Sequence, residues 1–444
     1  MSEEPQNNIV NRYLWIYALL LVAMTALSWA VYLESGRVEF FRPIFDRADR
    51  FRDLTNYSGK IAHLADGGAA LGSGLPVYNY PAPAAYVYAF FLRGFPHHPV
   101  HVFLALLLAG LLLGAFLLWK AAHLRGARVS GLTAAIAATV ICGSPMAFIA
   151  DRGNLEGVVG LILGTGLVLF IAERYFGSAV FIGLAASIKP FPGLFFFLLA
   201  RKKRYREIAV GFAIAAGSII LALTALGPTP VKAYEGLQPG VNRYYNNYII
   251  TVLPPDERRF AHSIMDCMKS IASASFAAPS QQAPAQASPR PGGSSPVTRS
   301  LSDEQMHAIF LASLLLAAGT LVFILWRIYK LPAVNQMILL AVAVTLLPPV
   351  SAEYTLIHLY VPFGAFLIFL ARDAAVHVEI KHSVILTILI LFALLFSPLT
   401  FFNMFSGDVK MCLLTAMLIV VSVNPMPSSI FKEIEDPQLI KLTN

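Results

Sequence analysis

Ten predominantly apolar runs, each close to the length that crosses a bilayer, punctuate this chain. They fall at 12–33, 98–119, 129–149, 155–172, 207–227, 306–326, 332–348, 355–371, 383–402 and 409–425. A helix needs about 20 apolar residues to cross the hydrocarbon core. Inside that core every backbone N–H and C=O must be paired within the protein, so runs of this length are helices. A further apolar stretch, 175–200, is interrupted by Lys189-Pro190. Composition agrees, with 57% hydrophobic and 13% charged residues in 444, where soluble proteins carry about 25% charged. The expected fold class is an all-α polytopic membrane protein. A collagen-like, largely disordered or disulfide-stapled chain is excluded. Three cysteines without a CxxC pair offer neither a thioredoxin-like site nor a zinc knuckle.

The net charge of +8 reads as membrane topology and not as a nucleic-acid surface, because the basic clusters are short and separated by apolar spans. Lys and Arg collect in cytoplasmic loops, which places 120–128, Arg174, 201–206, 327–330 and 372–381 on one side. The loops 34–97, 150–154 and 228–305 then lie on the other. The scheme closes with both termini cytoplasmic and about twelve membrane helices if 81–95 lies along the membrane surface and 175–188 with 190–200 forms a short hairpin. The first run exceeds a signal-peptide core and lacks a strong cleavage site, so it reads as a retained span. The expected organisation is an N-terminal membrane module, 1–210, carrying the first loop, 34–97. A span at 211–227, a loop at 228–305 and a C-terminal transmembrane module at 306–444 follow. Within the loop, 231–259 is rich in Tyr and Asn and reads as ordered. Residues 272–300 are Pro/Ser/Ala/Gln-rich, bury too little to offset their ordering entropy, and read as a disordered tether.

Chemistry outside the bilayer has little chain to draw on, and the first loop is the most charged part of it. Asp46, Asp49 and Asp53 are spaced three and four, one face of a helix. Two readings stand: a solvated helix laced with neighbouring arginines, or a carboxylate held at the membrane surface beside a basic patch. The second arrangement suits deprotonation of a hydroxyl next to a lipid-linked phosphate.

Asp53-Leu54-Thr55-Asn56-Tyr57, followed by Pro76-Val77-Tyr78-Asn79-Tyr80-Pro81-Ala82-Pro83, resembles the first-loop signature of glycosyltransferase family 87. These membrane enzymes include polyprenol-phosphate-mannose-dependent mannosyltransferases. Arg152-Gly153-Asn154-Leu155-Glu156-Gly157 and the run from Gly183 to Lys189-Pro190 are similar to two further family motifs. The order and spacing cover about residues 50–210; beyond that the likeness is one of topology. The resemblance implies a GT-C-like bundle with a helical first loop. Its implied activity is inverting transfer of a sugar, mannose by that likeness, from a polyprenyl-phosphate donor to a glycan or glycolipid outside the cytoplasm. It gives Asp53 the part of general base. One base suffices in outline, because the leaving phosphate already carries its charge; the paired carboxylates of glycoside hydrolases are not required.

Arg52, Tyr57, Tyr78 and Tyr80 are expected to surround donor and acceptor. Tyr78 and Tyr80 also suit an interfacial aromatic belt, together with Tyr86 and Tyr88. Lys189 is ionisable inside an apolar run, which points to a polar cavity or a partner. It is expected either at the donor phosphate, or snorkelling at a helix end, or paired with Glu156. Arg152, Asn154 and Glu156 read as a wall of the donor site or as helix-start caps. Gly157, Gly160 and Gly164 share one helix face and read as close packing. Glu353 is a candidate to orient a sugar hydroxyl, and Tyr354 and His358 share its turn. Here the chain departs from the family, whose members carry a Trp and one or two His, so His358 reads as an interior histidine ahead of a proton relay.

No cofactor and no metal ion are expected. His97-His98 and His101 lack the glutamate of HExxH and read as a polar helix cap. The expected partners are the polyprenyl-phosphate sugar, the glycan or glycolipid acceptor and membrane lipids, with no nucleic acid. The expected location is a bacterial inner membrane, with the active site on its extracytoplasmic side. A transporter or flippase of lipid-linked or small solutes is the alternative, since many spans with an internal Lys-Pro break would suit one.

Overall fold

A computed structural model describes residues 4–35, 50–63, 71, 73, 78–123, 130–250, 260–276, 301–373, 381–399 and 406–426. Asp46 and Asp49 lie outside the described residues. Among them the only β-type pairing is an isolated bridge between Ala261 and Ala352.

The helices run in chain order as follows. α1 is Glu4–Ser35, α2 Arg52–Thr55, α3 Ser58–Ala62, α4 Ala82–Leu92, α5 Pro99–His123 and α6 Ser130–Cys142. α7 is Ser144–Arg152, α8 Glu156–Ile171, α9 Tyr175–Ile188, α10 Phe196–Arg201, α11 Tyr205–Leu226 and α12 Pro230–Tyr244. α13 is Ile264–Phe276, α14 Asp303–Ile328, α15 Ala333–Leu346, α16 Tyr360–Asp373, α17 His382–Phe396 and α18 Ser406–Val423. Short 3-10 turns at Phe191–Phe195 and Glu353–Leu359 lead into α10 and α16.

Among the described residues, seven helical stretches are long and apolar enough to cross a membrane: 9–31, 99–120, 130–152, 205–226, 303–328, 353–370 and 406–423. Six shorter apolar helices accompany them. Over its described residues the protein is therefore helical, with the candidate spans of a polytopic membrane protein. The outer helices keep apolar side chains on their free faces, as with Leu108, Leu112, Leu113 and Phe116 of α5, a surface that only lipid or another apolar partner satisfies. α15 is the converse. All of its residues are buried, which is why its sequence is apolar all round apart from Asn335, Gln336 and Thr345. Asn335 bonds the carbonyls of Val421 and Asn424 at the end of α18.

Several boundaries depart from the sequence expectation. The run 129–149 bends at Gly143, where Pro145 prevents a continuous helix, so α6 and α7 are separate. Helix α4, expected to lie along the membrane surface, buries Ala82, Ala84, Ala85, Tyr88 and Phe91 and packs on α5, α9 and α11. Lys189 takes extended angles (φ −139°, ψ 132°), the conformation that a following proline imposes, and this splits 175–200 into α9 and α10. Helix α13 runs on to Phe276 with Ala272 and Ser273 buried, so 272–276 are ordered. Residues 277–300, the rest of the expected tether, lie outside the described residues.

Two close approaches position the site. α8 packs on the 353–359 turn with Gly160 against Ile357; a Cβ on Gly160 would lie 2.9 Å from the Ile357 side chain. Small residues at such points let helices meet closely, and here they bring the start of α8 to the turn carrying His358. Gly153 ends α7 in the left-handed conformation (φ 65°). A Cβ there would fall 2.8 Å from the Leu54 side chain, so glycine lets the first-loop segment rest on the α7–α8 junction.

Candidate active site

Asp53 sits in the single turn of α2. Phe51, at φ 56°, reverses the chain ahead of it, and the Phe51 N–H donates to the Asp151 carbonyl at 2.6 Å. Arg50 reinforces the junction, with its Nε 3.6 Å from Asp151 Oδ1. The Asp53 carboxylate then receives a hydrogen bond from Asn154 Nδ2 on Oδ2 at 2.7 Å. Arg152 lies 3.5 Å from Oδ1. Asn154 is itself buried, and its Oδ1 accepts from the Glu156 N–H at 2.9 Å, capping the start of α8. One amide thus ties the first-loop carboxylate to the first residue of a core helix.

Glu156 is 1% exposed and holds two basic side chains. Lys189 Nζ donates to Oε2, and His358 Nε2 lies 2.7 Å from Oε1. A carboxylate this deeply buried is tolerated only when paired and hydrogen-bonded. The Lys189 ammonium also lies over two aromatic faces, 5.5 Å from the Tyr80 centroid and 5.2 Å from that of Tyr354, within cation–π range. Glu156 takes one of its three N–H donors.

These groups line a cavity of about 210 Å³, with Tyr80, Glu156, Lys189, Tyr354 and His358 on its walls and Asn79, Thr355 and Tyr244 beside them. That is below the roughly 300–1,000 Å³ of sites for drug-sized ligands. Its size suits a small polar group such as a sugar phosphate, and a lipid chain would have to stay outside. Behind Tyr80 the first-loop tyrosines form a knot: Tyr57 packs on Tyr78 at 5.5 Å, on Tyr80 at 6.3 Å and on Tyr88 at 4.8 Å between centroids. Burial first, and then the charge of Asp53, push the Tyr57 phenol well above its usual range, so it remains a neutral hydroxyl.

The expected site residues therefore fall into three groups. Tyr80, Glu156, Lys189, Tyr354 and His358 share the cavity. Asp53, Arg152 and Asn154 form the adjoining cluster, joined to the cavity through the Asn154–Glu156 contact. Tyr57 and Tyr78 are buried support, the Tyr78 hydroxyl donating to the Pro81 carbonyl at 3.2 Å, while Arg52 is on the exposed side of α2. Glu353 is not on the cavity wall. It accepts from Ser144 and from Lys410, with Lys410 only 2% exposed.

This second ion pair and the roof beside it escaped the sequence reading. Lys410 had the same signal as Lys189, a lone cation in an apolar run. In the roof, His262 Nε2 lies 3.1 Å from Thr355 Oγ1, and Ser351 Oγ lies 2.7 Å from the same oxygen. Burial, helped by the charge of Lys410, pushes His262 from its ordinary 6.5 down to about 3. Between those values the unfolded chain binds a proton that the folded protein does not, so stability falls as pH drops from about 6.5 toward 3. Denaturation of the detergent-solubilised protein across that window should show the slope, and His262→Gln should flatten it without changing the profile above pH 7.

A buried carboxylate paired with Lys189 and His358 thus borders a cavity, next to a partly exposed aspartate on the first-loop turn of a helical membrane protein. The comparison with known families gives the class: residues 78–254 match the model of glycosyltransferase family 87, a family of glycosyltransferases. The match includes Tyr78, Tyr80, Arg152, Asn154, Glu156 and Lys189. Asp53 precedes it, and Glu353, Tyr354 and His358 follow it. No curated protein matches the chain significantly.

Proposed function

We propose that this protein is a glycosyltransferase that moves a sugar, mannose by family likeness, from a polyprenyl-phosphate donor to a glycan or glycolipid acceptor on the extracytoplasmic face of a bacterial inner membrane. The observation that carries the proposal is the pairing of Lys189 and His358 on one buried carboxylate at a cavity of sugar-phosphate size, with Asp53 one amide away. Lys189 and His358 hold the donor phosphate, and Tyr80 and Tyr354 border the sugar. The acceptor hydroxyl approaches from the side of Asp53 and attacks the anomeric carbon. Its oxygen forms the new glycosidic bond as the bond to the phosphate oxygen breaks. The proton passes to Asp53, and the polyprenyl phosphate leaves with the electron pair. Attack opposite the leaving group inverts the anomeric centre. A GT-C-like arrangement of about twelve membrane helices accords with this reading.

The experiment is transfer by purified protein from synthetic polyprenyl-phosphate sugars, with nucleotide sugars as the comparison. Product should form only with the lipid-linked donors, and Lys189→Met should raise KM for the donor more than it alters binding of the acceptor. Turnover of nucleotide sugars alone would remove the lipid-phosphate donor from the proposal. Exchange of a lipid-linked sugar across proteoliposomes without a covalent product would favour transport instead.

A further inference from the structure

Helix α12 follows the membrane-crossing α11 after only Gly227, Pro228 and Thr229. Thr229 caps it, its Oγ1 accepting from the Lys232 N–H at 3.2 Å. With Lys232, Glu235, Gln238, Asn242 and Arg243 along its length, it is too polar to span. At about 100° per residue, its side chains sort into three flanks. Ala233, Leu237 and Gly240 face the bundle and are buried. Lys232, Glu235 and Asn242 form an exposed polar flank. On the other side of the buried flank, Tyr234 is 56% exposed and Val241 45%, and Tyr245 continues the row at 36%, with the exposed Gln238 and Val231 at its border with the polar flank.

That apolar flank runs into the lipid-facing surface. Tyr245 meets the Phe310 ring of the spanning helix α14 edge-on at 6.1 Å, and the next turns of α14 expose Leu311, Leu314 and Leu315. A helix with one apolar and one polar exposed flank, starting where a span ends, matches the pattern of helices that lie in the headgroup–acyl boundary. Tyrosine suits that depth because its ring is apolar and its hydroxyl stays wet.

We propose that α12 is an interfacial helix whose Tyr234, Val241 and Tyr245 flank is covered by membrane lipid. Its inner end carries Tyr244, a wall of the cavity, stacked on Tyr248 at 5.1 Å. The seating in lipid keeps the cavity mouth at headgroup depth, where a lipid-linked substrate reaches it without leaving the bilayer. This last consequence rests on the donor proposed above; the lipid contact does not.

The test places p-benzoylphenylalanine at Tyr234 or Val241, and at Glu235 or Asn242 as polar-flank controls, in the full chain in phosphatidylethanolamine–phosphatidylglycerol nanodiscs. Thermal unfolding and monodispersity verify each fold. Phospholipid adducts should form at 234 and 241 and be lost at 235 and 242. Equal labelling at all four positions, no lipid adduct at 234 and 241, or cross-links there to another copy of the chain would overturn the proposal. Hydroxyl-radical footprinting of the unsubstituted protein gives a second readout: Tyr234 should be protected in the bilayer, and full oxidation would contradict its burial in lipid. Neither readout uses activity, so failure here is distinct from failure of the donor assay.

Discussion

Asp53→Asn is expected to lower turnover with a lipid-linked sugar by about 10²- to 10⁴-fold, the range that a positioned general base contributes. The amide side chain cannot accept the acceptor's proton, yet its oxygen can still receive the Asn154 hydrogen bond, so α2 should keep its place on the α7–α8 junction. The loss should fall on kcat, with donor KM nearly unchanged, because the groups assigned to the donor phosphate belong to the neighbouring cavity. Asn154→Ala separates positioning from proton transfer. It removes a 2.7 Å bond to a carboxylate, and bonds to charged groups contribute about 1.5–3 kcal/mol. A smaller loss than for Asp53→Asn is therefore expected, with the proton acceptor still present. Equal activity of wild-type and Asp53→Asn protein under single-turnover conditions would remove Asp53 from the mechanism.

The other large effect concerns stability. Lys410→Met leaves Glu353 buried without its cation, and breaking one side of such a pair costs about 3–5 kcal/mol. Both side chains are nearly inaccessible, at 2% and 8%, so solvent does not screen the loss. The Lys410→Met/Glu353→Gln double variant should recover most of it, since two neutral groups of similar volume remain. Thermal unfolding in detergent measures both. Acceptor KM in the double variant also decides the expectation that Glu353 orients a sugar hydroxyl: an unchanged value assigns the residue to structure alone.

The site was partly legible in the sequence because each of its parts carried a local signal. Lys189 stood out as a charge in an apolar run, Pro190 announced the break beside it, and Arg152 to Gly157 read as a helix start. Pairing with Glu156 was among the readings of Lys189, but His358 read as an interior residue ahead of a relay. Its contact with Glu156 joins positions 202 apart in the chain, and no spacing rule reaches that far. Lys410 lies in the run 409–425 and Glu353 in the turn before 355–371, 57 positions apart, so their pairing was hidden for the same reason. The bend at Gly143 and the inward packing of α4 were missed because run length reports apolarity and not direction.

Sequence alone determined that this chain is a bundle of membrane helices, where it breaks at Lys189, and which segment outside the runs is most charged. Those properties are written residue by residue, in hydropathy, proline and charge. Only the tertiary structure decided which charges answer each other. A buried ion is tolerated solely through a partner within a few ångströms, and which partner arrives depends on close approaches such as Gly160 against Ile357 and Gly153 against Leu54. The same packing gives α12 its third flank, exposed and apolar, that composition could not distinguish from a buried one.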